Sequence, residues 1–157
     1  MKILLANQSH YNDLLVFYNE IVSYLKLNHD YPGWTHGDYP FELNINNALK
    51  NHHMYIGLKN EKIVCAVIMN NEYSIEYETI EWSAPLDDAY ILHTLAVHPH
   101  YLRQSYAKQL LTFCINKAIN DHKKHICLDV YEYSEPPPLI EVVASRNHAI
   151  PFKKYDI

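Results

Sequence analysis

The sequence predicts one α/β domain in which two strands run parallel. Residues 90–132 read strand, tight turn, long amphipathic helix, strand. A βαβ unit of this kind sets its two strands parallel with the helix on one face. Upstream, the apolar runs MYIGLKN and KIVCAVIMN flank Asn60-Glu61 and read as a β-hairpin. The length of 157 residues suits a single domain, 1–157, large enough to bury a real core.

The elements follow in order. KILLA (2–6) is a short opening strand, and Asn7 or Ser9 can cap the helix after it. In that helix Leu14, Leu15, Tyr18, Ile21, Val22 and Leu25 recur at helical spacing. HDYPGWTHGDYP (29–40) holds two Gly and two Pro and reads as a loop. Pro40 suits the first turn of a second helix over 40–51. After the hairpin, EYSIEYETIEWS reads as part strand and part loop. YILHTLAV (90–97) is a buried strand that Pro99 ends. From Tyr106, Ala107, Leu110, Leu111, Cys114, Ile115 and Ala118 form one apolar helix face, and HKKH marks its solvated end. ICLDVYE (126–132) is the second parallel strand.

Composition narrows the function. Hydrophobic residues at 48% and charged residues at 20% argue against disorder. The net charge of −5, with dispersed Lys and Arg, gives no pull on nucleic acid or an anionic membrane. Cys65, Cys114 and Cys127 are widely spaced in apolar runs, so they read as buried hydrophobes, neither disulfide-bonded nor zinc ligands. His52-His53, His98-x-His100 and His122-x-x-His125 lack carboxylate or Cys partners at ligand spacing, so no metal is expected. MKILLANQSH turns polar too soon for a signal peptide, and no apolar run approaches a membrane span; a cytoplasmic protein is expected. Glycine is scarce: 3 residues, against 8 Pro and 14 Tyr.

The chemistry concentrates in LHTLAVHPHYLRQSYAKQLL (92–111). A strand ends in Leu95-Ala96-Val97, a turn with Pro99 follows, and a helix opens near Arg103-Gln104-Ser105-Tyr106-Ala107-Lys108. Backbone N–H groups at a helix start lack internal partners and face the positive end of the dipole, so they bind phosphate. Arg103 and Lys108 add positive charge.

This stretch resembles motif A of the GNAT N-acetyltransferase superfamily: a strand with L-x-V-x-P, then Q/R-x-x-G-x-G/A opening a helix. Leu95, Val97 and Pro99 match the first part, and Ala107 the last small position. Leu102 stands where Gln or Arg is usual, and Ser105 where the first Gly is usual. The resemblance covers residues 1–133 and is with small bacterial members. It implies a mixed central sheet with helices on both faces, and an acetyl-CoA-dependent N-acetyltransferase acting on a primary amine of a small molecule, peptide or protein. It further implies that the backbone of Leu95, Ala96 and Val97 pairs with the pantetheine arm. The N–H groups of Arg103, Gln104, Ser105, Tyr106, Ala107 and Lys108 then hold the pyrophosphate, and the two parallel strands splay around the arm.

Aminolysis of a thioester benefits from a base that removes the amine proton. His93 and Glu81 are the candidates; His93 has a suitable ordinary pKa and is set two residues before Leu95. A hydrogen-bonded structural role for His93 is the competing reading. Trp82, Trp34 and Tyr39 are candidates to line the acceptor pocket, or to pack in the core.

Beyond ICLDVYE the likeness weakens. The family shows N-x-P-A and then a helix bearing a Tyr that protonates the leaving thiolate. Here Ser134 takes the place of the Asn and Pro136 that of the Pro, while Ile140 or Glu141 falls at the Tyr position. Tyr131 or Tyr133 is the substitute acid. One closing strand, IPFKKYDI, is expected where the family has two. The last strand is therefore read as lacking or altered, and dimerisation through the open edge is one remedy. These departures also support a rival reading, a GNAT-like module that binds CoA or a partner without efficient catalysis.

Overall fold

The computed structural model describes residues 1–28, 33–37, 40, 42–79, 81–82, 84–129, 139–143 and 152–155. They form two compact units, residues 1–68 with 94–110 and residues 69–93 with 111–157.

In the first unit β1 (Lys2–Leu5) leads through a 3-10 turn to α1 (Tyr11–Leu27). Asn7 starts that turn: its side chain accepts the Ser9 N–H while the His10 side chain takes the Asn7 N–H, a reciprocal cap. The face of α1 read from the spacing is the buried one, with Leu14, Phe17, Tyr18, Ile21 and Val22 inside. The second helix, α2, spans Glu42–Lys50, so Pro40 lies just before it. The hairpin forms as expected from β2 (Met54–Lys59) and β3 (Lys62–Asn70), with β1 antiparallel to β2 on its other side. Asn60 and Glu61 both take positive φ, 50° and 62°, the backbone of a tight two-residue hairpin turn. The core joins Leu14, Tyr18, Ile21, Ile45, Leu49, Met54, Ile56 and Ala96, nearly all fully buried.

In the second unit the first half of β4 (Ala89–Val97) pairs in parallel with β5 (His125–Asp129), from Ala89↔His125 to Ile91↔Cys127. α3 (Tyr106–Asn120) starts in the first unit and continues here, completing the βαβ connection. β6 (Leu139–Val143) is antiparallel to β5, and β7 (Phe152–Tyr155) to β6, so this sheet is mixed. Three local expectations change. EYSIEYETIEWS contributes a 3-10 turn over Ile75–Thr79, not a strand. Tyr77 is buried there, stacked on Trp82 at 5.5 Å, and its carbonyl accepts the Trp82 indole N–H at 2.7 Å. Ala107 is exposed, and Tyr106 takes its place on the buried helix face. The altered end of the fold consists of two strands, since LIEVV pairs directly onto β5 where the likeness implied a helix.

β4 is irregular at its centre. Up to Ile91 the odd-numbered residues are buried, and from Leu92 onward the even-numbered ones. Two residues past this change of phase, Thr94 breaks the extended backbone with φ of 51°, a conformation a β-branched residue avoids. The Tyr18 hydroxyl donates to the Thr94 carbonyl at 3.0 Å and lies 3.0 Å from its Oγ1. Thr94 is 6% exposed, so water does not replace this bond readily. Tyr18→Phe should therefore destabilise the fold by about 1–3 kcal/mol, lowering Tm by roughly 2–4 °C per kcal/mol in a domain of this size. A thermal melt checks this, and an unchanged Tm would show that Thr94 is satisfied without Tyr18.

Candidate functional site

β4 ends at Val97, and residues 98–105 carry the chain to α3. A 3-10 turn over Pro99–Tyr101 opens this connection, with Tyr101 N–H bonded to His98 O at 2.8 Å. Arg103 and Ser105 then take positive φ, 58° and 62°. Ser105 occupies the position where the family motif has glycine, and the backbone there is indeed left-handed. Gln109 N–H bonds the Ser105 carbonyl at 3.0 Å, the first bond of the helix. The N–H groups of Tyr106 and Ala107 precede that bond and have no carbonyl one turn back in the helix. The side chains of Arg103, Gln104, Ser105, Ala107 and Lys108 are exposed, so an anion can reach this backbone. Tyr106 is buried and meets Tyr101 edge-on at 6.2 Å. Lys59 covers both rings, 5.8 Å from Tyr101 and 5.6 Å from Tyr106. A hydrogen bond with Tyr106 holds its ammonium above the ordinary lysine pKa.

Leu95 and Val97 are half-buried, and Ala96 is inside. His93 is half-buried, with Nε2 3.0 Å from both Asn70 Oδ1 and the Glu72 carbonyl. Asn70 Oδ1 also accepts the Glu72 N–H at 3.0 Å, so it is an acceptor. Nε2 thus carries the hydrogen, and Nδ1 is the basic nitrogen of the ring. Glu81 is exposed. Trp34 is buried against Tyr18 at 5.9 Å, and Trp82 is half-buried on Tyr77, so both indoles pack. Tyr39, Tyr131, Tyr133, Ser134 and Pro136 lie outside the described residues.

Three features escaped the sequence reading: the break at Thr94, its Tyr18 partner and the anchoring of His98 described below. Of these only the first leaves a trace in sequence, a shift of apolar alternation within AYILHTLAV. Among the described residues no three His, Cys, Asp or Glu side chains gather as a metal ion needs. Among them, too, no helix is long and apolar enough to cross a membrane.

A mixed sheet, an interrupted strand and a left-handed turn opening a helix are features of an α/β fold. The sequence model of the acetyltransferase (GNAT) family matches residues 21–136, and the chain belongs to that family. Its fold is shared by a GNAT acetyltransferase of Listeria monocytogenes, at 18% identity and TM-score 0.67, covering 98% of this chain and 94% of that one. It is shared by the ribosomal-protein-alanine N-acetyltransferase of Brucella melitensis, at 15% identity and TM-score 0.61, covering 83% and 74%. It is shared also by N-acetylglutamate synthase of Neisseria gonorrhoeae, solved with coenzyme A and N-acetylglutamate, at 13% identity and TM-score 0.57, covering 82% and 25%. No curated protein matches the sequence.

The left-handed backbone at Ser105 yields a direct expectation. Glycine takes this φ without a Cβ penalty, which in other residues is of order 1 kcal/mol. Ser105→Gly should raise stability by up to about 1 kcal/mol, less the entropy glycine adds to the unfolded chain. Urea unfolding measures it, and a loss of more than that would mean the Ser105 side chain holds the turn.

Proposed function

We propose that this chain, acting as one domain, transfers an acetyl group from acetyl-CoA to a primary amine of a small molecule, peptide or protein. The observation that carries the reading is the turn at 98–105. It presents left-handed backbone at Arg103 and Ser105 beside the first N–H groups of α3, in the family's motif. That arrangement suits a pyrophosphate. Its exposed cations, Arg103 and Lys108, complement the charge. Leu95, Ala96 and Val97 supply strand backbone for the amide-bearing pantetheine arm, and Ser134 is assigned to the cofactor on the likeness alone. In a related fold, the Neisseria enzyme binds coenzyme A.

The reaction is direct attack. The amine nitrogen bonds to the thioester carbonyl carbon, the carbon–sulfur bond breaks, and the amine proton leaves to a base. We assign a backbone N–H near Leu95 to stabilise the developing oxyanion. We assign the base to His93 through Nδ1, directly or through water, with Glu81 the alternative. Tyr133 is assigned as the acid that protonates the thiolate.

The second reading, a CoA-binding module with weak turnover, is favoured by one observation: the Ser105 Cβ occupies room that glycine leaves to a ligand. Calorimetry with acetyl-CoA, paired with thiol release across a panel of amines, separates the two. Saturable binding with amine-dependent thiol release is expected. Binding without release across the panel would favour the module, and no binding would overturn both.

His93→Ala should lower kcat by about 10²-fold while acetyl-CoA affinity stays within twofold, and Glu81→Gln should leave kcat nearly unchanged. A kcat that is unchanged in His93→Ala would assign His93 to structure alone.

A further inference from the structure

The turn that offers backbone to the pyrophosphate contains two non-glycine residues in left-handed conformation. Each costs on the order of 1 kcal/mol or more and persists only if its surroundings hold it. Downstream, α3 holds it. Upstream, the contacts converge on one side chain, His98.

His98 is 8% exposed. Its N–H donates to the Val64 carbonyl of β3 at 2.9 Å, at the residue where the β2–β3 register shifts. Its Nδ1 accepts the His100 N–H at 3.3 Å, as a cap residue does. The hydrogen of the neutral ring is therefore on Nε2, which donates to Glu20 Oε2 of α1 at 2.7 Å. One imidazole thus ties together β3, α1 and the first turn of the connection. Phe17 packs beside it at 6.1 Å and Tyr101 at 5.8 Å. The chain continues this bracing, since Gln104 Nε2 reaches the His100 carbonyl at 3.4 Å.

Glu20 fixes which nitrogen carries the hydrogen. Its side chain is 60% exposed and lines a cavity of about 470 Å³ with Asp13, Glu61, Lys62 and His100, so water solvates the carboxylate while His98 stays inside. An acceptor facing Nε2 keeps the hydrogen there and leaves Nδ1 open to the His100 N–H. If Glu20 is lost, the tautomer that caps the turn is no longer selected.

We propose that His98 is the positioning residue of the pyrophosphate turn: through its cap on His100 it holds Arg103 to Ser105 ready for acetyl-CoA, and Glu20 sets its tautomer. This rests on the acetyl-CoA reading above. His98 acts through backbone and touches no reacting atom, so its removal affects cofactor binding and not the chemical step.

The test measures acetyl-CoA Kd and KM, amine KM, kcat, Tm and amide hydrogen exchange over residues 99–106 for five proteins. They are the wild type, His98→Ala, His98→Asn, Glu20→Gln and Glu20→Ala. His98→Ala should raise acetyl-CoA Kd and KM roughly tenfold, the size of one lost cap, with kcat and amine KM within twofold and faster exchange in the turn. His98→Asn should return Kd to within about threefold of wild type, because its Oδ1 can take the His100 N–H. Glu20→Gln still accepts from Nε2 and should match the wild type, while Glu20→Ala should fall between. A merely structural role lowers Tm in step across the variants and gives no rescue by asparagine; that pattern overturns the proposal. If His98→Ala does not fold, unchanged Kd in Glu20→Ala together with weakened binding in His98→Asn overturns it equally. A wild type that fails to bind acetyl-CoA sinks the cofactor reading and the proposal's functional half. Hydrogen exchange in the ligand-free variants then still shows whether His98 orders the turn.

Discussion

A β-branched residue inside a strand does not hold φ of 51° unaided, and in this chain the Tyr18 hydroxyl holds it, bonded to the Thr94 carbonyl at 3.0 Å. Much depends on that bond. Before the break, β4 forms a regular parallel ladder with β5 from Ala89 to Ile91. Burial changes phase between Ile91 and Leu92, and past Thr94 the strand leads through Leu95 and Val97 into the turn at 98–105. Nothing local in HTLAV forces the break; a tyrosine from α1, 76 residues earlier, supplies the partner. An unpaired buried carbonyl is costly, so the hydroxyl acts as a condition for the break and not as an ornament to it.

The same backbone problem recurs, and the chain solves it without glycine. α2 and α3 both end in a left-handed histidine, His52 at φ 60° and His122 at φ 60°. The bonds that follow each are those of a glycine-type helix stop: His53 N–H to Ala48 O and Lys123 N–H to Ala118 O, both 2.8 Å. The hairpin turn uses Asn60 and Glu61, and the cofactor turn Arg103 and Ser105. Of the glycines, Gly33 and Gly37 take positive φ, while Gly57 lies in β2 where a Cβ would meet Cys65 Sγ at 2.5 Å. A count of 3 glycines therefore does not measure how often this backbone turns left-handed. It measures how often the turn is held by bonds from elsewhere.

This explains what the sequence made legible. Elements with strong periodicity were readable: the α1 face at Leu14, Tyr18, Ile21 and Val22, the hairpin around Asn60-Glu61, and α3 from Tyr106. The turn between β4 and α3 was readable through Leu95, Val97, Pro99 and Ala107, because a shared motif records a backbone path as well as residue types. The work of His52 and His122 as helix stops was not legible, since it lies in φ alone. The 3-10 turn at Ile75–Thr79 was hidden because Tyr77 is fixed by stacking on Trp82, a contact that no local periodicity encodes. The pairing of LIEVV with β5 was not legible, because at this point the chain departs from the family's pattern and a strand's partner lies outside its own sequence.

The contacts around His98 show how long-range bonds hold a local backbone shape. Ordinary glycine would let the cofactor turn relax into its left-handed shape at little steric cost, but with a larger entropy loss on ordering. Serine and arginine there carry the steric cost instead, and they are useful only if the turn is already held when the ligand arrives. His98, braced by β3 and α1, and Lys59 over Tyr101 and Tyr106 supply that hold from two sides. Preorganisation of this kind moves the ordering cost from binding to folding. On the acetyl-CoA reading proposed above, the affinity of the turn would then depend as much on His98 and Glu20 as on the backbone offered to the pyrophosphate.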